Sequence, residues 1–350
     1  RALFSDVLAQ EVSSAGGNSQ IGRGVQTATV DPDFSQGTFK ATSSNTDLAV
    51  DGPGFFIMGD PNSDALRYTR DGAFELNKEG YLVNPTGHQV QGKALSDAGN
   101  PVGGLTDVQV NPNSSVPAQI TGEIVTTANL NAESQAPSTT PFDPTDPSSY
   151  NFMNSATVYD SLGSSHTLSS YFVKTASNSW EVHFEGDWNT APGTTSASIS
   201  FNSDGSIDTT GTTQATLSGI GWGNGSNAPD ITIDLSNLTQ YSSQSEVIQQ
   251  KVDGYSSGKL VDVSVNENGI VKANYSNGET VDKYQLRLAQ FADEGALKRE
   301  GNNLYSSTNA AGLSKGWPGS SVGTIRSNSL EQSNVDIAKQ FTDMITTQRA

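Results

Sequence analysis

From Asp47 to Gly92 the chain alternates brief apolar runs with residues that turn it, a spacing that leaves room for little except short β-strands. Gly52 and Gly54 flank Pro53 directly before Phe55-Phe56, the mark of a sharp backbone bend feeding a strand. Asp71-Gly72 stands between Tyr68 and Phe74 as a two-residue hairpin turn would, because both residue types tolerate positive φ. Glu79-Gly80 and Thr86-Gly87 repeat the device. Strands this short bury little by themselves. The segment therefore needs a partner from elsewhere in the chain, and the stretch beyond residue 254 is the candidate.

That later stretch has the same style. Val261, Val263 and Val265 alternate with Asp262 and Ser264, a turn is expected at 266–269, and Asn277-Gly278 is the strongest hairpin signal in the sequence. Leu286 and Leu288 extend the sheet. Residues 121–253 then read as an insertion, which is thermodynamically tolerable because loop closure cost grows slowly with length. Inside it, Trp180, Val182 and Phe184 alternate with Glu181, His183 and Glu185, and Ile231, Ile233 and Leu235 alternate with Thr232 and Asp234; both are half-buried strands. Ile120 to Leu130 reads as a connecting strand, and Pro137, Pro141, Pro144 and Pro147 keep 134–149 free of regular structure.

The fold class expected is mainly β. Two β-rich domains are predicted, one discontinuous (47–120 and 254–330) with the other (121–253) inserted in it, plus short terminal helical segments. Residues 1–46 form an extended or helical connector, in which Leu3, Phe4, Val7 and Leu8 have the spacing of a short amphipathic helix. Residues 331–350 begin a C-terminal helix: Ser333 and Asp336 resemble a capping box, and Val335, Ile337, Phe341, Met344 and Ile345 make one apolar stripe suited to assembly. The chain starts at Arg1 without methionine or a signal-like apolar run and stops at Ala350 with no helix-ending residue, as a fragment would.

Composition narrows the function. Thirty-seven acidic against nineteen basic residues give a formal charge of −18, and no Lys/Arg cluster offsets it, which disfavours nucleic acid as a partner. The chain has no cysteine, so disulfides and thiolate metal sites are excluded. No run of eighteen apolar residues occurs to make a membrane-spanning helix. The low hydrophobic fraction of 33% leaves room for the turn residues of a many-stranded chain.

Signs of catalysis are weak. Gly319-Ser320-Ser321-Val322-Gly323 fits the pattern of a hydrolase nucleophile elbow, but Pro318 precedes it and Thr324-Ile325-Arg326 reads as strand where a helix is needed. His88, His166 and His183 are isolated and read as exposed surface residues. Asn202, Asp204 and Asp208 around Gly205 lack the twelfth-position acid of a calcium loop, with Gln214 near that place. Gly219 to Gly223 is glycine-dense without a lysine or a following helix to hold phosphate. Neither a cofactor, a metal nor a catalytic residue is expected.

A resemblance adds to this reading. Asp51-Gly52-x-Gly54-Phe55-Phe56, followed by Tyr68-Thr69-Arg70-x-Gly72-x-Phe74 and Gly80-Tyr81-Leu82-Val83, resembles the signature of the bacterial flagellar rod and hook proteins. Gly301-Asn302-Asn303-Leu304-Tyr305, Leu330-Glu331-x-Ser333-Asn334-Val335-Asp336 and Met344-Ile345-x-x-Gln348-Arg349 resemble the C-terminal block of the hook members. The resemblance covers 1–120 and 254–350, and the middle more loosely. It implies a structural, non-enzymatic subunit of the hook, polymerising with many copies of itself into a flexible curved tube that passes motor torque to the filament as a universal joint. It further implies rod, hook-cap and hook-filament junction proteins as partners, no membrane insertion, and an extracellular place reached by export without a cleaved signal peptide. Family members carry helical ends that form a coiled coil around an axial channel, and these are missing from this chain. Asp51, Gly52, Gly54, Phe55, Phe56, Tyr68, Arg70, Gly72 and Phe74 are its expected structural motif residues. Two other readings stand beside it: a distal rod subunit, against which the large insertion argues, and a secreted β-rich carbohydrate-binding or hydrolytic protein with Trp180, Trp188 and Trp222 as a platform.

Overall fold

The computed structural model describes the backbone of 2–8, 12–14, 17–19 and 22–30, and residues 33–227, 229–320, 322–335, 338, 341–342 and 344–346. The chain forms two compact units, the first from 1–114, 261–274 and 280–350, the second from 115–260 and 275–279.

In the first unit, strand Phe55–Asp60 is central. Ser63–Thr69 pairs along one edge, Phe56 opposite Thr69. The other edge is shared by Gln89–Leu95, with Gln89 opposite Gly59, and Leu288–Phe291, with Leu288 opposite Phe56. Gln89–Leu95 also pairs with Thr280–Leu286, and that strand with Ile270–Tyr275. The early and late flanks thus build one sheet. Phe55, Phe56, Ile57 and Met58 are all fully buried, so this strand is covered on both faces, which is why it reads as a continuous apolar run. On one face Phe55, Tyr68 and Phe291 meet edge to face, with Phe55–Phe291 and Tyr68–Phe291 ring centres 5.5 and 4.9 Å apart. Phe56 meets Phe74 at 5.0 Å.

Two local expectations change. Asp71-Gly72 is not a hairpin turn; the chain runs on past Thr69, and Leu48 N donates to the Gly72 carbonyl at 3.0 Å. Ala2–Leu8 is a strand paired antiparallel with Gly22–Val30, not a short helix. A single turn bounded by glycines cannot repay helix nucleation, while Val25, Thr27, Thr29 and Val30 favour the ladder. Asn277-Gly278 does close a hairpin, but only Gly278 has positive φ (87°), and its N–H donates to the Tyr275 carbonyl at 3.0 Å.

The second unit holds two four-stranded sheets. Phe152–Tyr159, Ser165–Ala176, Ser179–Gly186 and Ser196–Ser200 form an antiparallel meander. The other sheet runs in the order Gln214–Leu217, Ile231–Tyr241, Glu123–Asn131, Glu246–Val252. Glu123–Asn131 therefore lies inside that sheet, parallel to Ile231–Tyr241 with Ile124 opposite Ile233, and is not a mere connector. Its Ile124, Ala128 and Leu130 enter one core with Leu168, Phe172, Trp180, Val182 and Phe184 of the meander and Ile231, Ile233 and Leu235 of its own sheet. The proline-rich stretch contains one short 3-10 turn, Pro147–Ser149, with the Asp146 side chain accepting from Ser148 N at 2.9 Å.

Asp160 ties the 159–164 turn of this unit. Its side chain is fully buried and accepts from the N–H groups of Leu162 and Ser164, both at 2.9 Å, and from Asn224 Nδ2, and it faces His166 Nε2 at 3.3 Å. Burial pushes the carboxyl up, but the bonds from Asn224, Ser164, His166 and Leu162 together outweigh it and hold the group down to about 2, against an ordinary 3.8. A carboxyl with a lowered folded pKa stabilises above its unfolded pKa and loses that contribution as pH falls through the folded value. Asp160 is thus expected to contribute about 2 kcal/mol at neutral pH, lost between about pH 4 and pH 2. Thermal unfolding over that range should show the loss, and Asp160→Asn should flatten it.

Candidate functional site: an arginine junction in the first unit

The motif residues converge on Arg70. Gly52 and Gly54 take φ of 105° and 145°, conformations costly for any side chain, and the loop they form turns three carbonyls toward one guanidinium. Arg70 Nη1 donates to the Gly54 carbonyl at 3.2 Å, and Nη2 to those of Gly52 at 3.2 Å and Val50 at 3.4 Å. Its other side meets Glu331: Nε donates to Oε2 at 3.0 Å and Nη2 to Oε1 at 3.4 Å, a forked ion pair. The two side chains are only 15% and 11% exposed. Glu331 in turn accepts from Gly37 N at 2.9 Å, and Gln36 Nε2 donates to the Val50 carbonyl at 3.1 Å.

Two strand pairs hold these segments in register. Phe39–Ala41 lies against Ser329–Glu331, and Leu48–Asp51 against Thr324–Ser327. Asn334 Nδ2 adds a bond to the Ser35 carbonyl at 2.8 Å, and Asn303 Nδ2 one to Asp71 Oδ2 at 3.1 Å. A cleft of about 390 Å³ opens beside the junction, lined among others by Phe34, Phe55, Arg70, Tyr305 and Leu330. Burial raises the Tyr68 hydroxyl against the pull of its Ser307 bond, and burial raises Glu294 against the nearby Arg70 charge.

Chemically, this is a clamp. Arg70 directs its donors at three peptide carbonyls and one carboxylate, and among the described residues no nucleophile–base pair lies there. Arg70→Ala would take the charged partner from a largely buried carboxylate and a donor from three carbonyls. The expected cost is about 3 kcal/mol to the first unit, read by denaturant unfolding, and Arg70→Lys should recover little because it cannot fork.

The other sequence candidates fall as follows. Gly72 lies where a Cβ would meet Phe56, and Asp51, itself exposed, pairs with Thr324. Phe341, Met344 and Ile345 are helical and, like Val335, about half exposed, while Ile337 lies outside the described residues. Strand Thr324–Ser327 follows Gly319–Gly323, so the elbow has no helix; Ser321 lies outside the described residues. Asp204 and Asp208 serve turns, accepting from Ser206 N and Thr210 N, and the Ser206 and Thr210 bonds lower both carboxyls. Trp180 and Trp222 are buried and Trp188 packs on the core, so they make no exposed platform. The histidines are less exposed than their isolation suggests. His166 stacks on Trp222 at 3.8 Å and His183 on Phe142 at 4.2 Å, because a flat ring flanked by acids is well placed to cover an aromatic edge of the core.

Sequence reasoning singled out Arg70, and the tail motif held Glu331 and Asn334, but neither the Arg70–Glu331 bond nor Gln36 and Gly37 was foreseen. A signal existed: an arginine inside a strand-rich motif of an acidic chain calls for an acid partner.

Known proteins resemble the chain along nearly its whole length. Residues 49–128 match the flagellar hook protein FlgE/F/G D1 domain, 129–255 the flagellar basal body protein FlaE D2 domain, and 326–350 the flagellar basal body rod FlgEFG protein C-terminal domain. The flagellar hook proteins FlgE of Salmonella typhimurium and Escherichia coli are each 33% identical to the chain, over 99% of it and 85% of their own length. That of Treponema pallidum is 29% identical over 100% of the chain and 87% of its own. The crystal structure of Helicobacter pylori flagellar hook protein FlgE2 shares the fold, with a TM-score of 0.61 at 15% identity, covering 84% of this chain and 100% of that one. Sequence and fold agree along nearly the whole length, and the chain belongs to the flagellar hook protein FlgE family, a structural and non-enzymatic family of hook subunits.

Proposed function

We propose that many copies of this chain polymerise into a flexible curved tube outside the cell that carries torque from motor to filament. The observation that carries this reading is the 33% identity to hook proteins over 99% of the chain, middle segment included. A rod subunit would not require a match across 129–255 to the D2 domain.

In this reading the Arg70 clamp, with Asp51, Gly52, Gly54, Phe55, Phe56, Tyr68, Gly72 and Phe74 around it, keeps the first unit stiff under load. Val335, Ile337, Phe341, Met344 and Ile345 offer an apolar stripe to neighbouring copies; half-exposed Phe341, Met344 and Ile345 support that role. Heterologous contacts that do not close generate an open helical polymer. Rod, cap and junction proteins are the partners at its ends. Export proceeds unfolded and without a cleaved signal, to which a chain free of cysteine is suited.

The test grafts these residues in place of the matching segment of the Salmonella typhimurium hook protein in cells lacking their own. Curved hooks in electron micrographs and restored swimming are expected. Straight stubs, or rods without hooks, would overturn the reading.

A further inference from the structure

Three Asn-Gly pairs occur in the chain: Asn224-Gly225, Asn268-Gly269 and Asn277-Gly278. In such a pair the glycine nitrogen reaches the asparagine side-chain carbon with no Cβ in the way. Attack further requires that the glycine N–H be free of its own hydrogen bond. Gly269 N donates to the Asn266 carbonyl at 2.9 Å and Gly278 N to that of Tyr275 at 3.0 Å. Gly225 is exposed, a Cβ there would meet nothing within 4 Å, and its N–H has no partner among the described residues.

The neighbours of Asn224 also favour reaction. Ser226 N donates to Asn224 Oδ1 at 3.0 Å, where it would stabilise the negative charge that forms on that oxygen during attack. Asn277 has the same aid from Glu279 N at 3.1 Å, so the free glycine N–H is what separates the two sites. Asn224 Nδ2 meanwhile donates to buried Asp160, tying the 219–226 loop to the 159–164 turn.

We propose that Asn224-Gly225 is a self-modification site, and that its conversion to aspartate and isoaspartate releases the tie to Asp160. The Gly225 nitrogen gives up its proton and bonds to Asn224 Cγ. The Cγ–Nδ2 bond breaks, and ammonia leaves with that proton. One water then opens the cyclic imide at either carbonyl, giving aspartate or isoaspartate; nothing else is consumed. Asp160 thereby loses an N–H donor and gains a like charge beside it, in a position already fully buried. The loop that loosens carries Ile220 and Trp222, both buried in the core of the second unit.

The folded chain held in mildly alkaline buffer, sampled by peptide mass spectrometry and by isoaspartate-specific methylation, tests the site. Asn224 is expected to convert about tenfold sooner than Asn268 or Asn277, the factor that one retained hydrogen bond commands. In urea the three rates should converge. Equal rates in the folded chain, a lead at either other site, or an order that persists in urea would overturn the proposal. Asn224→Asp, which carries the product charge, is expected to lower the melting temperature of the second unit; a melt identical to wild type would sink the claimed release.

Discussion

Gly72→Ala is expected to prevent the first unit from reaching its native register. A Cβ at this position would lie 1.7 Å from the Leu48 carbonyl oxygen and 2.7 Å from its carbon. Neither is a side-chain end that can swing aside. Leu48 is fully buried, its N–H is bonded to the Gly72 carbonyl, and the next residue pairs Ala73 with Asp47. Relief therefore means pulling two backbones apart and opening the layer beneath Phe56 and Phe74. The cost is at least about 4 kcal/mol, in the range that marks a special backbone site. Denaturant unfolding followed by tyrosine fluorescence, or rapid proteolysis within 47–92, would register it. A variant that unfolds with wild-type midpoint would show that the close approach is not needed.

Trp180→Ala should cost the second unit about 3–5 kcal/mol. The side chain is 1% exposed and is the largest fully buried one in the protein. Its Nε1–H donates to Gln240 Oε1 at 2.6 Å, and Gln240 Nε2 donates onward to Asn178 Oδ1 at 2.9 Å. Truncation opens a cavity between the two sheets and leaves the Gln240 carbonyl without its donor. Trp180→Phe separates these effects: it fills most of the volume, keeps the ring under the Lys174 ammonium, and is expected to lose only about 1–2 kcal/mol. Thermal unfolding of the two variants measures both.

Which features were legible follows from how local each one is. Trp180, Val182 and Phe184 announce a half-buried strand because the period of two lies within five residues, and they are core. Ile231, Ile233 and Leu235 do the same. Glu123–Asn131 misleads because its neighbour in the sheet is over a hundred residues away, and a parallel partner leaves no turn between the strands to read. Asp71-Gly72 misleads in the other direction. A dipeptide that favours a hairpin is here required for backbone proximity to Leu48, which no short window contains. The helical spacing of Leu3, Phe4, Val7 and Leu8 is one turn long, too little to outweigh pairing with Gly22–Val30. At the junction the motif named Arg70 and the tail named Glu331, but only the fold joins them.

That bond spans 261 positions of sequence. Forming it means closing a very large loop, and such distant closures slow the approach to the native state. The order of events is thereby constrained. The two four-stranded sheets of the second unit are built wholly from residues within 123–252, so they are able to mature while the tail is still being delivered, whereas the first unit locks only when Glu331 arrives. A chain interrupted shortly before that residue would hold a finished second unit and an unlatched first one. Arrival of Glu331 is thus itself the trigger for rigidity.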